Sequence, residues 1–189
     1  MDKIICLVGE SGSGKSTLAE LLEKQGYNNI QSYTTREPRY QGEKGHIFVD
    51  KIVLNKHVVL ETEQKEFFRI AQTEFDGNYY WAVNTQYQNK GLSVYAIDPF
   101  GVKELKNYVK DAEIVVIYLK TDREERYTRM WERACALNTY EERHVARREV
   151  HKRIYHDRDV FRIVTCDYVV DANNCIGQVL EDITKIIEK

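Results

Sequence analysis

Along the chain, short continuous apolar runs alternate with stretches in which apolar residues recur every three or four positions. Lys3 to Val8 is such a run, closing at Gly9, and beyond a Gly/Ser stretch Leu18, Ala19, Leu21 and Leu22 fall at helical spacing. The order predicted is strand, loop, helix. Further β-rich runs at Leu92 to Ile97, Ile114 to Leu119 and Tyr168 to Val170 each precede a candidate helix, starting near Pro99, Asp122 and Asn174. Continuous rather than alternating apolar strands, separated by helices, predict a parallel sheet covered on both faces.

Two regions depart from this rhythm. From about Gln31 to Thr85 the chain is rich in Tyr, Thr and Phe, with turn signals at Tyr40 to Gly45 and Asp76 to Asn78, which predicts a small β-rich lobe inserted between core units. Thr121 to Phe161 is strongly charged and helix-forming, with many arginines. The fold class expected is therefore α/β, a three-layer α/β/α domain with a parallel central sheet. Its core is drawn from residues 1–31, 86–120 and 160–189, the inserted lobe from 32–85, and a helical region from 121–159.

The bulk properties narrow the partners. A chain of 189 residues with 42% hydrophobic residues buries one sizeable core. Lys+Arg 28 against Asp+Glu 30 leaves a formal charge of -2, unlike the basic face that holds a nucleic-acid backbone, so no polymeric nucleic acid is expected. Cys6, Cys135, Cys166 and Cys175 lack metal-ligand spacing and read as reduced thiols. No apolar run approaches the roughly 20 residues of a membrane span. These features predict a cytoplasmic protein, monomer or homodimer.

The sharpest local signal is Gly9-Glu10-Ser11-Gly12-Ser13-Gly14-Lys15-Ser16, which fits G-x-x-x-x-G-K-[ST] and lies between a strand and a helix. Glycines let the main chain wrap closely and aim its N–H groups at phosphate oxygens, and the helix that follows presents its positive dipole end. Lys15 is expected on the β- and γ-phosphates, Ser16 on Mg²⁺, and Thr17 at the helix start. A chance match in a chain of this length is on the order of one percent, so nucleoside triphosphate binding, with Mg²⁺, is expected. Asp98-Pro99-Phe100-Gly101 also fits the D-x-x-G of GTPase switch loops, but no Asn-Lys-x-Asp motif follows: Asn55-Lys56 continues with His57, and Asn89-Lys90 with Gly91.

Ser32-Tyr33-Thr34-Thr35-Arg36-Glu37-Pro38-Arg39 resembles the Ser-x-Thr-Thr-Arg-x-Pro-Arg signature of guanylate kinase. Gly42-Glu43, His46 to Val49, Gly77 to Tyr80, Ile97-Asp98, Arg129 to Arg133 and Asp167 to Val170 follow in the family's order, so the resemblance spans nearly the whole chain. It implies phosphorylation of a nucleoside monophosphate, GMP or dGMP, by Mg·ATP, with the β-rich lobe binding the acceptor and the charged helices forming a lid. Arg36 and Arg39 suit a phosphate through their planar forks. His46, in place of a family tyrosine, and Tyr80 would add donors. Arg129 and Arg133, with Arg143 or Arg147 one helical turn apart, would neutralise the transferring phosphoryl as lid residues.

The base pocket departs from the family pattern. Of the four residues by which the family reads guanine, Ser32 and Asp98 remain, Arg69 stands in place of a glutamate, and Ala82 replaces a serine. A carboxylate accepts from guanine N1–H and N2–H₂, whereas an arginine only donates. Either the base chosen differs, or Glu74 takes over the acceptor role, or Arg69 points outward. Ala96 replaces an acidic residue two before Asp98, which leaves Asp98 as a possible second Mg²⁺ ligand. Three readings stand: a guanylate kinase-like enzyme, a kinase for a non-guanine or modified nucleotide or a sugar phosphate, and a catalytically silent binding module.

Overall fold

The computed structural model describes residues 1–38, 41–49 and 68–188. Arg39, named above as a phosphate ligand, lies outside the described residues, as does Tyr40, the first residue of the Tyr40 to Gly45 turn region.

The central sheet contains β1 (Asp2–Val8), β2 (Asn28–Ile30), β7 (Leu92–Ala96), β8 (Ala112–Lys120) and β9 (Tyr168–Asp171), in the order β2-β7-β1-β8-β9, with every pairing parallel. Ile4 to Val8 on the central strand are all 0% exposed, so both faces need apolar side chains and the run reads as unbroken. The alternation divides them between two cores. Ile4, Cys6 and Val8 pack on one face with Val102 and Leu105 of α2 (Pro99–Tyr108). Ile5 and Leu7 pack on the other with Leu18 and Leu22 of α1 (Lys15–Lys24) and Val179 and Ile183 of α5 (Ile176–Ile187). The parallel sheet and its helix layers are as the apolar pattern predicts. Edge strand β2, only three residues long, has no comparable signature in the sequence.

A second sheet has the order β4-β3-β6-β5, from β3 (Ser32–Thr34), β4 (His46–Phe48), β5 (Arg69–Phe75) and β6 (Asn78–Val83). β5 and β6 form a hairpin through Asp76 (φ 51) and Gly77 (φ 70), both in the left-handed conformation a tight turn needs. A bulge between Arg69 and Ala71 shifts the register at the start of β5. Further along, Thr73 faces Tyr80 on one side of the sheet, while Gln72 opposes Trp81 on the other. That other side carries a small core of Trp81 and Val83, with Tyr33 stacked on Trp81 at 5.7 Å.

The small sheet is fixed to the large one through α2. Asp98 caps this helix by accepting from the Gly101 amide at 2.7 Å, with Pro99 in the first turn. A Cβ on Gly101 would lie 2.6 Å from Ile97 Cγ1 and 3.4 Å from Thr73 Cγ2, so a glycine lets β5 and the helix start approach closely. The charged region forms a helical hairpin of α3 (Arg123–Cys135) and α4 (Tyr140–Val160). Thr139 breaks it with a capping box: its hydroxyl accepts from Glu142 N at 3.1 Å, and its own amide donates to the Glu142 carboxylate at 3.0 Å.

The cysteines are free, with Cys6 buried and Cys135 and Cys175 exposed. Burial pushes the Cys6 thiol up to about 12. A thiol-reactive probe at pH 8 is therefore expected to label Cys135 and Cys175 in the native protein and Cys6 only after denaturation, as read by peptide mass mapping.

Candidate nucleotide-binding site

The Gly9 to Ser16 loop leaves the end of β1 and enters α1, as its sequence context requires. Gly12 (φ 84) and Gly14 (φ 98) take left-handed conformations that side chains disfavour. Gly12 also has no room for one, because an added Cβ would lie 2.6 Å from the carbonyl oxygen of Arg126 on α3. Helix α1 opens on Gly14, and among the described residues no side chain caps it and no acidic residue occupies its first turn. Its free N–H groups and dipole are thus presented to an anion.

Lys15 reaches back over the loop, its ammonium donating to the carbonyls of Gly9 and Glu10. Burial pushes its pKa down, opposed by the negative charges of Asp157, Asp98 and Glu10. Ser16 and Thr17 are exposed at the start of the helix. Close-approach glycines, an open helix start and a recessed ammonium together fit a polyphosphate. The Ser16 hydroxyl, at the exposed start of α1, and Asp98, on the wall of the cavity that Lys15 also lines, suit Mg²⁺, which takes few protein ligands and completes its shell with phosphate oxygens and water. Among the described residues, no group of three or more His, Cys, Asp or Glu could hold a metal by itself.

Beside the loop lies a cavity of about 190 Å³. It joins Gly9, Ser11 and Lys15 to Ser32, His46, Tyr80 and Asp98, four residues read from the sequence as acceptor contacts. His46 and Tyr80 meet edge to face at 5.5 Å. Ser32 Oγ and Tyr95 Oη lie 2.8 Å apart in the buried wall, and burial holds the Tyr95 phenol protonated. Arg36 is not among the residues lining the cavity: it interacts with Tyr80, which is, and is forked onto Glu43 at 2.9 and 3.1 Å and lies 5.2 Å over the Phe48 ring.

Other sequence candidates fall elsewhere. Arg69, at the start of β5, donates to Gln72 and is not among the residues lining the cavity; Ala71 and Thr73 are. Glu74 is exposed and also off the wall. Arg129 holds Glu125 at 2.8 Å and the Ala172 carbonyl at 3.0 Å. Arg133 is exposed, Arg143 binds the carbonyls of Leu137 and Asn138, and Arg147 lies 4.9 Å over Trp131. None of these four lid arginines lines the cavity beside Lys15.

The residues that do approach from the helical hairpin are Arg126, Arg153, His156 and Asp157. Arg126 is 6% exposed, pairing with Glu10 at 3.2 Å and with Asp157 at 3.7 Å. Asp157 accepts from the Ser11 amide at 2.6 Å, and Tyr118 donates to Glu10 at 2.9 Å. His156 meets Phe75 of β5 edge to face at 4.4 Å, and Arg153 lines the cavity. Arg126 does not line that cavity; it lines another, about 330 Å³, with Arg123 and Arg158. The sequence marks this region as arginine-rich, but the buried Arg126 is picked out only by its place against the loop, which residue spacing alone does not supply.

A glycine-lined phosphate loop, ending the central strand of a parallel sheet with helices on both sides, defines a P-loop nucleotide-binding domain. A family model described as an AAA domain matches residues 5–150, and the chain belongs to that family. None of the curated proteins matches it. Among solved structures, the guanylate kinase from Anaplasma phagocytophilum is similar over 99% of this chain and 85% of its own, at 18% identity with a TM-score of 0.58. The chain therefore has the guanylate kinase fold.

Gly12→Ala, which combines an unfavourable φ with a collision at the Arg126 carbonyl, is expected to destabilise the protein by about 1–3 kcal/mol and to weaken triphosphate binding. Thermal denaturation with and without nucleotide checks both effects.

Proposed function

We propose that the chain transfers the γ-phosphoryl group of Mg·ATP to a nucleoside monophosphate, giving two diphosphates. The observation that carries this reading is the single cavity shared by Lys15 and Ser11 of the phosphate loop and by Ser32, His46, Tyr80 and Asp98 around the small sheet. A donor site and an acceptor site on one wall are what direct transfer between two nucleotides needs, because proximity supplies much of the rate.

In this reading the loop amides and Lys15 hold the donor phosphates. Lys15 contributes a compact positive charge where negative charge accumulates as the phosphoryl moves. Ser16 and Asp98 would hold Mg²⁺, which supplies charge neutralisation on the phosphates when bound. Arg36 holds the acceptor phosphate with the tyrosine hydroxyl of Tyr80, Arg39 completing the pair. Ser32 and Asp98 contact the acceptor's base. Arg126 and Arg153, on the hairpin beside the loop, join the candidates for phosphoryl neutralisation with Arg129, Arg133, Arg143 and Arg147. The hairpin excludes water from the transferring group. Residues 32–85 serve as the acceptor lobe and 121–159 as the lid.

The acceptor expected from the sequence is GMP or dGMP. A coupled assay of the common ribo- and deoxyribonucleoside monophosphates, extended to sugar phosphates, tests the reading. Turnover of at least one monophosphate supports it, and no turnover with any phosphorylated acceptor sinks it in favour of a silent binding module. Lys15→Ala is expected to lower kcat by about 100-fold or more while leaving the melting temperature nearly unchanged. Arg36→Lys keeps the charge but loses the fork, and is expected to raise the KM of the acceptor by about tenfold, with the KM of ATP changing less. Steady-state kinetics with each substrate varied separate the two effects.

A further inference from the structure

Asp157 has no task in the transfer described above, yet it occupies a costly position. Its carboxylate, on the last turns of α4, is 5% exposed and accepts from the Ser11 amide at 2.6 Å. Ser11, Lys15 and Asp157 lie on the same cavity wall. The groups facing this carboxylate are the Ser11 N–H, the Arg126 guanidinium at 3.7 Å, the neighbouring His156 ring at 3.7 Å and, through space, the Lys15 ammonium. A main-chain N–H of a phosphate loop is thus engaged by an anion that the chain itself provides.

We propose that Asp157 is a gate on the donor site, an internal anion that holds the phosphate loop closed onto the lid helix and yields to the triphosphate. The proposal rests on the reading of this loop as the donor site. Two anions cannot share one N–H donor and one recessed ammonium without strong repulsion. Arrival of the polyphosphate therefore releases the carboxylate from Ser11. Arg126 is bound to Asp157 and Glu10 together, so release of Asp157 also leaves Arg126 with one anionic partner fewer and available to the phosphates.

The same displacement reaches the acceptor side. Asp157 adjoins His156, whose ring packs on Phe75 of β5, and Arg153 lies one turn before it on the cavity wall. Movement of the last turns of α4 thereby changes both halves of the cavity, so loading of the donor reshapes the seat of the acceptor. A merely structural carboxylate would predict the reverse behaviour, since its loss would loosen the loop and weaken every nucleotide.

The test measures equilibrium binding of Mg·ATP and Mg·ADP to the full chain by calorimetry. Asp157→Asn removes the charge while keeping an oxygen for the Ser11 amide. It is expected to tighten Mg·ATP by about fivefold or more and Mg·ADP by less, because the triphosphate carries the greater negative charge. Asp157→Glu, which keeps the charge, is expected to bind both close to the wild type. Equal or weaker ATP binding by Asp157→Asn, with wild-type binding intact, would overturn the gate alone. Absence of ATP binding by wild type and variant alike would overturn the donor-site reading and the gate with it.

Should Asp157→Asn fail to fold, hydrogen exchange on the wild type decides the question. Saturating Mg·ATP is expected to slow exchange in residues 9–16 and to speed it in residues 155–161. Slower exchange in both segments would overturn the proposal.

Discussion

The structure turns on one buried guanidinium. Arg126 lies between Glu10 of the phosphate loop and Asp157 of α4, and its backbone carbonyl occupies the space that a side chain on Gly12 would need. A charge taken out of water must be matched locally, because leaving a buried partner uncompensated costs about 3–5 kcal/mol. Glu10 and Asp157 provide that match, and Tyr118 holds Glu10 in turn. Four segments, the loop, β8, α3 and α4, are consequently placed with respect to one another by a handful of charged atoms. Hydrophobic burial sets the two layers around the sheet, but this polar cluster sets the position of the loop against the lid.

Such a cluster contributes more to definition than to net stability, since desolvation offsets much of its attraction. In the proposed gate it has two arrangements. With its anions supplied by side chains, it holds the hairpin against the loop. With anions supplied by a nucleotide, the same cation has an alternative partner. By that gate, a side chain on the helical hairpin would report what the main-chain amides of the loop hold.

The sequence was most legible where backbone geometry and burial restrict the choice of residue. The strand Lys3 to Val8, the glycine-rich loop and helices beginning at Pro99 and just after Asp122 are readable because continuous burial, left-handed glycines and capping side chains each permit few alternatives. The convergence of Ser32, His46, Tyr80 and Asp98 follows from signature segments on different strands meeting at one cavity. Arg69 was not readable in this way: the bulge between Arg69 and Ala71 alters the phase of β5, and one residue of phase moves a side chain to the opposite face. The buried arginine was hidden for a different reason. On a hairpin where nearly every turn carries a charge, Arg126 shares a helix face with Arg133, seven residues on, and is set apart by its place along the axis, against Gly12 of the loop, which residue spacing does not reveal.

The close seating of β5 on the start of α2 has a mechanical corollary. With glycine at 101, the small sheet is bolted to the very turn that carries Asp98, leaving little clearance for sliding. Among the described residues, the helical hairpin shows no equivalent clamp onto that sheet: it touches through an aromatic ring pair and the exposed Lys152–Asp76 pair at 3.1 Å. A vice built this way has one stationary jaw and one free to travel, and on the proposed reaction the work of enclosing two substrates would fall mainly on the helices.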